Sequence, residues 1–140
     1  MKKKISIILI FMLVTSCFCY GQTFKIIVNQ QNASSSISKK EVSDLFLKKK
    51  TKWNSGTTVT PVDLNANSKI REDFSQQIHG KGISAIRNFW QQAAFSGTAS
   101  APPEKASDAE VIDFVKKNAG AVGYVSNSAP TNEVKVITVN

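Results

Sequence analysis

Apolar residues follow two periods along this chain, and the switches between them mark its elements. Over residues 23–29 the side chains alternate, with Phe24, Ile26 and Val28 on one face and Lys25 and Ile27 on the other, the period of a strand. Residues 29–36 are polar and predict a loop. Ser38 and Glu41 then form a capping box, Ile37 is placed to staple onto Val42, and Val42, Leu45 and Phe46 recur at helical spacing. That helix should end among Lys48, Lys49, Lys50 and Lys52. Residues 53–58 read as a turn around Gly56, and 58–63 as a short strand whose Pro61 argues for an edge or a strand end.

Asn67 or Ser68 caps the next predicted helix, where Ile70, Phe74 and Ile78 keep a spacing of four until His79-Gly80 closes it. Gly82 and Ser84 open another, with Ile83, Ile86, Trp90 and Ala94 in phase. Residues 97–103 break the pattern into a loop. Ser107 and Glu110 make a second capping box; Val111, Ile112, Phe114 and Val115 bury the helix that follows, and Gly120 is its expected C-terminal cap. Residues 122–126 and 134–139 finish the chain as two strands. Four strands interleaved with four helices predict an α/β fold, and a mixed sheet flanked by helices, because only a loop separates the last two strands.

The first residues belong to a different pattern. Lys2, Lys3 and Lys4 precede an apolar run over 5–14, followed by small and turn-forming residues, the order of a secretory signal. Ten apolar residues are half of the roughly 20 that span a bilayer. Two cleavage points fit: after Gly21, or before Cys17, where Val14-Thr15-Ser16-Cys17 resembles a lipobox whose cysteine is acylated. The expectation is an exported protein of the periplasm or cell envelope, touching membrane only through its signal or a Cys17 lipid. Residues 1–21 form the signal and 22–140 a single domain. Cleavage after Gly21 removes both cysteines, so stability must come from an apolar core and not from a disulfide.

Removal of three lysines from 18 basic residues leaves 15 against 10 acidic ones, a net +5 that favours anionic partners. Nucleic acid is the usual such partner, but export argues against it. The lysine run before Trp53 reads first as a solvated helix end, where cations offset exposed carbonyls, and otherwise as a contact for an anionic ligand or lipid headgroup.

Catalytic constellations are sparse. His79 is the sole histidine and adjoins Gly80 at a helix end, where it is expected to meet the last carbonyls and not to act as a base; no Gly-x-Ser-x-Gly elbow accompanies it. Glu72-Asp73 and Asp108-x-Glu110 lie on first turns of helices, where acids answer the positive end, so neither predicts a metal site. Phosphate-cradling glycine loops are missing. The expectation is no enzyme, no metal and no cofactor.

Anion binding remains. Asn67, Ser68, Lys69 and Arg71 sit at a helix start directly after a strand, where free N–H groups, a hydroxyl and a guanidinium can cradle an oxyanion. The alternative is that Asn67 and Ser68 only cap the helix and Arg71 is solvated.

The landmarks Phe46, Trp53-Asn54-Ser55-Gly56, Val59-Thr60-Pro61-Val62, Ser68, Phe74, Trp90, Phe95-Ser96-Gly97 and Gly120-Ala121-Val122-Gly123-Tyr124-Val125 resemble, in order and spacing, one lobe of the phosphate-type substrate-binding proteins that serve ABC importers. The resemblance implies one lobe of a periplasmic-binding-protein-like fold, with phosphate or another small oxyanion as ligand and an ABC importer or another envelope protein as partner. That family grips phosphate with an arginine followed four and six residues later by the Ser and Thr of a Ser-Gly-Thr turn. Here Ser68 matches the serine, Leu64 stands in place of the arginine, and Lys69 and Ile70 replace Gly and Thr. A single lobe cannot close over its ligand, which implies weak binding or a second chain as the opposing wall. The rival role is an envelope interaction module that keeps the fold and has lost the ligand.

Overall fold

A computed structural model describes residues 21–140; the signal segment expected at the N-terminus lies almost wholly outside the described residues. Strand β1 (Phe24–Val28) forms the centre of a five-stranded sheet because four of its five side chains are apolar and buried. Its neighbours β6 (Ala121–Ser126) and β7 (Lys135–Val139) both run antiparallel to it, and Ile26 lies opposite both Tyr124 and Ile137. Two short strands extend the sheet outward. β2 (Ser36–Ile37) is parallel to β7, and β3 (Thr60–Pro61) is parallel to β6, which gives the order β2-β7-β1-β6-β3. Pro61 therefore sits on an edge strand, where a missing N–H costs no ladder bond. The chain then changes sheets: β4 (Asp63–Leu64) pairs in parallel with β5 (Glu104–Lys105) as a separate two-stranded ribbon.

The single strand expected over 58–63 is thus split, with Val62 between two sheets. The two-residue strands β2 and β5 are not among the expected strands: β2 begins at the last residue of the loop expected over 29–36, and β5 follows directly on the loop expected over 97–103. Each exists only through a partner distant in sequence.

Helices α1 (Lys39–Phe46), α2 (Lys69–Phe74) and α4 (Asp108–Lys117) bury their apolar residues in the core around the sheet, and α3 (Ile83–Phe95) buries Ile86 and Trp90 outside that cluster. Gly123 and Tyr124 point to opposite faces of β6 and divide the two layers. On the Gly123 side, a Cβ would stand 2.8 Å from Val111 and 3.3 Å from Val115, so α4 packs there at close range. On the Tyr124 side the Phe74 ring stacks on Tyr124, with centroids 3.8 Å apart and planes 5° from parallel, while Phe24 and Phe46 meet the pair edge-on or tilted. Because both faces are covered, Ile27 is as buried as Ile26, and Lys25 runs its ammonium to the Ala129 carbonyl at 2.7 Å.

Helix ends follow local chemistry. Ser38 and Ser107 accept from the amides of Glu41 and Glu110 as expected of caps. α2 continues as one π-helical stretch, Ser75–His79, before Gly80 closes it in the left-handed region at φ 64°. Ser75 Oγ, at the start of this wider turn, donates to the Lys81 carbonyl at 2.6 Å. Gly120 is not the cap of α4: that helix ends at Asn118, whose side-chain amide bonds the Phe114 carbonyl. Gly120 is glycine for another reason. A Cβ there would lie 1.8 Å from the Thr58 carbonyl oxygen, beside the Trp53 indole, whose N–H donates to the Gly120 carbonyl at 2.9 Å.

Candidate functional site

The loop after β4 turns through Asn65 and Ala66 and delivers Ser68 to the N-cap of α2. Its hydroxyl accepts from the Arg71 amide at 3.2 Å, and its own amide donates to the Asn65 carbonyl at 3.1 Å. Asn67 is exposed beside it. Lys69 projects into solvent and pairs with Asp73 at 2.7 Å, which also accepts from Thr23 at 2.7 Å and ties the helix to the start of β1. The sequence candidates therefore divide: Asn67, Ser68 and Lys69 share the outer surface of the turn, while Arg71 turns its side chain inward.

Arg71 is not solvated. It is 5 % exposed, and Nη1 donates both to the Leu64 carbonyl at 2.8 Å and to Glu104 on β5 at 2.5 Å. The guanidinium, starting one turn inside the helix, thus returns to Leu64, the residue standing where the resembled family carries its arginine. Asp63 lies in the same cluster, 7 % exposed, with Oδ1 accepting from the Tyr124 hydroxyl at 2.8 Å; that hydroxyl in turn accepts from the Leu64 amide at 3.2 Å. A chain of polar contacts thus runs from the sheet through Tyr124 and Asp63 toward Arg71 and Glu104.

Burial controls the electrostatics. Desolvation pushes the Asp63 carboxyl up to about 6, against the opposing pull of Arg71 and the Tyr124 hydrogen bond. Burial also raises the Tyr124 hydroxyl, helped by the Asp63 charge. Desolvation pulls the Arg71 guanidinium down, but the attraction of Asp63 and Glu104 outweighs it and raises the group above its ordinary value. The two carboxylates compensate the buried guanidinium, which without them would be an uncompensated charge.

Asp63 and Arg71 form one wall of a cavity of about 180 Å³, completed by Arg87 and Trp90 from α3, by Pro102 from the following loop and by Glu104 from β5. Among the described residues only Nη1 of Arg71 is hydrogen-bonded, and no buried side-chain nitrogen or oxygen lacks a partner. Its Nε and Nη2 have no partner among the described residues, and Arg71 lines this cavity. Two cations and two carboxylates thus meet in a recess walled on one side by an indole.

His79 stands apart from it. Its Nδ1 bonds the Ser43 hydroxyl at 2.7 Å, not the last carbonyls of its helix, and its ring meets Phe74 edge-on. Burial first, then the positive charges of Arg71, Lys49 and Lys81, push it down to about 4, so it is neutral near pH 7. Among the described residues no cluster of three His, Cys, Asp or Glu could hold a metal ion, and no helix is long and apolar enough to cross a membrane.

Sequence reasoning named Arg71 but missed Asp63, Tyr124 and Glu104 as its companions. Asp63 carried a signal: it is an acid set between Val62 and Leu64 in a stretch otherwise suited to burial. Glu104 carried none, because its meeting with Arg71 depends on the β4–β5 pairing.

Comparison of the folded chain with solved structures decides the architecture. A phosphate ABC transport receptor from Vibrio cholerae superposes with a TM-score of 0.67 at 18 % identity, covering 84 % of this chain and 46 % of the receptor. A putative phosphate ABC transporter substrate-binding protein from Clostridium perfringens, solved with bound phosphate, gives 0.64 at 19 % identity, covering 84 % and 44 %. A possible phosphate-binding protein from Planctomyces limnophilus gives 0.63 at 14 % identity, covering 84 % and 41 %. The chain has the fold of one lobe of a phosphate-type substrate-binding protein. It spans less than half the length of these phosphate-type proteins, as one lobe of the two should. No protein-family model and no curated sequence matches it.

Proposed function

We propose that this protein is an exported, non-enzymatic solute-binding-like lobe that holds phosphate or another small oxyanion, weakly by itself or more tightly with a partner that supplies the opposing wall. The observation that carries the reading is Arg71. Its guanidinium is pinned by packing and by the Leu64 carbonyl, while two of its nitrogens stay open toward a recess that also holds Arg87. A fixed fork of N–H donors in a partly desolvated site is the chemistry that binds tetrahedral oxyanions. Asn67, Ser68 and Lys69, at the neighbouring turn, would meet the same ligand only from its outer side. The cavity is open on one flank, so hydrogen bonds in it compete with water and affinity stays low without a second wall.

Inorganic phosphate at millimolar concentration should raise the melting temperature by mass action on the native state, and Arg71→Ala should abolish the rise. Since Arg71→Ala also removes a buried ion pair, Arg87→Ala provides the milder test. Absence of any shift with phosphate, sulfate or arsenate would remove the basis for oxyanion binding.

A second reading, an envelope interaction module, is favoured by one feature. Phe95, at the end of α3, is 97 % exposed, which leaves a whole aromatic ring open to a partner. If oxyanions have no effect while Phe95→Ser weakens binding to an envelope partner, this reading replaces the first.

A further inference from the structure

The pair formed by Arg71 and Glu104 is asymmetric. The arginine side chain is 6 % exposed and held from behind by the Leu64 carbonyl at 2.8 Å, whereas the glutamate side chain is 48 % exposed and sits on β5, a strand of two residues. Such a carboxylate can swing into water at small cost, because solvent replaces what it leaves. The guanidinium cannot follow it. With Glu104 gone, Nη1 keeps the Leu64 carbonyl and Arg71 keeps only the charge of Asp63, so the vacated donor favours the arrival of another anion.

A carboxylate oxygen on a guanidinium nitrogen has the charge and the hydrogen-bonding geometry of one oxygen of a phosphate or sulfate. Glu104 lines the same cavity that Arg87 and the open edge of Arg71 line, and so stands where an entering oxyanion would seek its strongest donor.

We propose that Glu104 is an intramolecular competitor for the oxyanion site: its carboxylate holds Arg71 Nη1 until a ligand oxyanion displaces it. The inference rests on the oxyanion reading above and adds a residue that sets the affinity. Binding is then an exchange of one charge-assisted hydrogen bond for another, assisted by Arg87 and by the donors of Arg71 that Glu104 leaves open. The apparent affinity is lowered by the fraction of molecules in which Glu104 occupies the donor. Asp63 takes no part in the exchange, since it is buried and committed to Tyr124, and it keeps Arg71 partly compensated throughout.

Calorimetric titration with inorganic phosphate tests this in the wild type and in Glu104→Gln, with Glu104→Ala as a second variant. Removal of the competing charge should tighten phosphate binding by about tenfold or more. If the variants bind phosphate no more tightly than the wild type, the competitor role is overturned and the oxyanion site stands. If neither wild type nor variants bind, both ideas fall together. A measurement on the wild type keeps the test independent of how the variants fold. Arginine side-chain 15N resonances should show Arg71 Nη1 shifting with phosphate; movement of Nε and Nη2 alone would mean that Glu104 stays in place, and would overturn the proposal.

Discussion

The Tyr124 hydroxyl and the Asp63 carboxylate, 61 residues apart in sequence, are joined at 2.8 Å in the interior, and the same hydroxyl accepts the Leu64 amide at 3.2 Å. One phenol oxygen thus satisfies a buried acid and a buried backbone donor at the point where the chain passes from the main sheet to the β4–β5 ribbon. Replacement of Tyr124 by phenylalanine keeps the ring stack on Phe74 and leaves both groups without a partner. The expected loss is about 1–3 kcal/mol of stability in urea denaturation, the cost of unsatisfied buried polar groups. A neutral effect would mean that water enters to replace the hydroxyl.

Two buried groups impose opposite pH dependence. His79 is pushed down to about 4 in the folded state, below its unfolded value near 6.5, so the stability it confers is complete above pH 6.5 and is lost as pH falls toward 4. Asp63 is pushed up to about 6 from 3.8, so its contribution is complete below pH 3.8 and is lost as pH rises through 6. Between pH 4 and 6 the two slopes oppose, and wild-type stability should be nearly flat. Urea melts across that range should separate them: Asp63→Asn should gain stability with rising pH and His79→Asn should lose it, each by about 1–3 kcal/mol. Equal slopes in the two variants would contradict the assignment.

Glycines should differ sharply in their tolerance of a methyl group. Gly120→Ala drives a Cβ to within 1.8 Å of a backbone oxygen, which only backbone movement can relieve, so it should cost about 3 kcal/mol or more. Gly97→Ala meets nothing within 4 Å but must hold φ at 70°, which costs roughly 1 kcal/mol. Thermal melts of the two variants give the order directly, and a milder Gly120 variant would indicate that the Trp53 turn is free to shift.

Phe74 touches Phe24, Phe46, Tyr124 and His79, more aromatic partners than any other ring in the cluster. Phe74→Ala should therefore cost about 3–5 kcal/mol, through lost burial and the cavity that remains. Phe95→Ala, at a ring 97 % exposed, should change stability by less than about 0.5 kcal/mol. Chemical denaturation of both variants checks the contrast; a large effect at Phe95 would imply that α3 leans on it in solution.

The caps show why part of the fold was legible. Ser38 and Ser107 act on amides three residues ahead, a contact set by helix geometry alone, and alternating β1 and the apolar stripes of α1 and α4 follow from the same short-range periods. β2 and β5 were not legible, since a two-residue strand is defined by its partner: Ile37 by Val139, and Glu104 by Asp63. The candidate site divides in the same way. Ser68 as a cap and Arg71 as a nearby cation could be read locally, whereas the direction of the Arg71 side chain could not, because it follows from which acid the ribbon brings near.

By itself, the amino-acid order determined the period of each segment, the serine caps and the likeness to one lobe of a phosphate-type binding protein, because these depend on residues within a few positions of one another or on their spacing along the chain. Only the tertiary structure decided that Arg71 is buried, that Asp63 and Glu104 flank it, and that a cavity opens beside it. The reason is physical: a charge finds its environment only when distant segments exclude water around it, and here β4, β5 and α3 do so together.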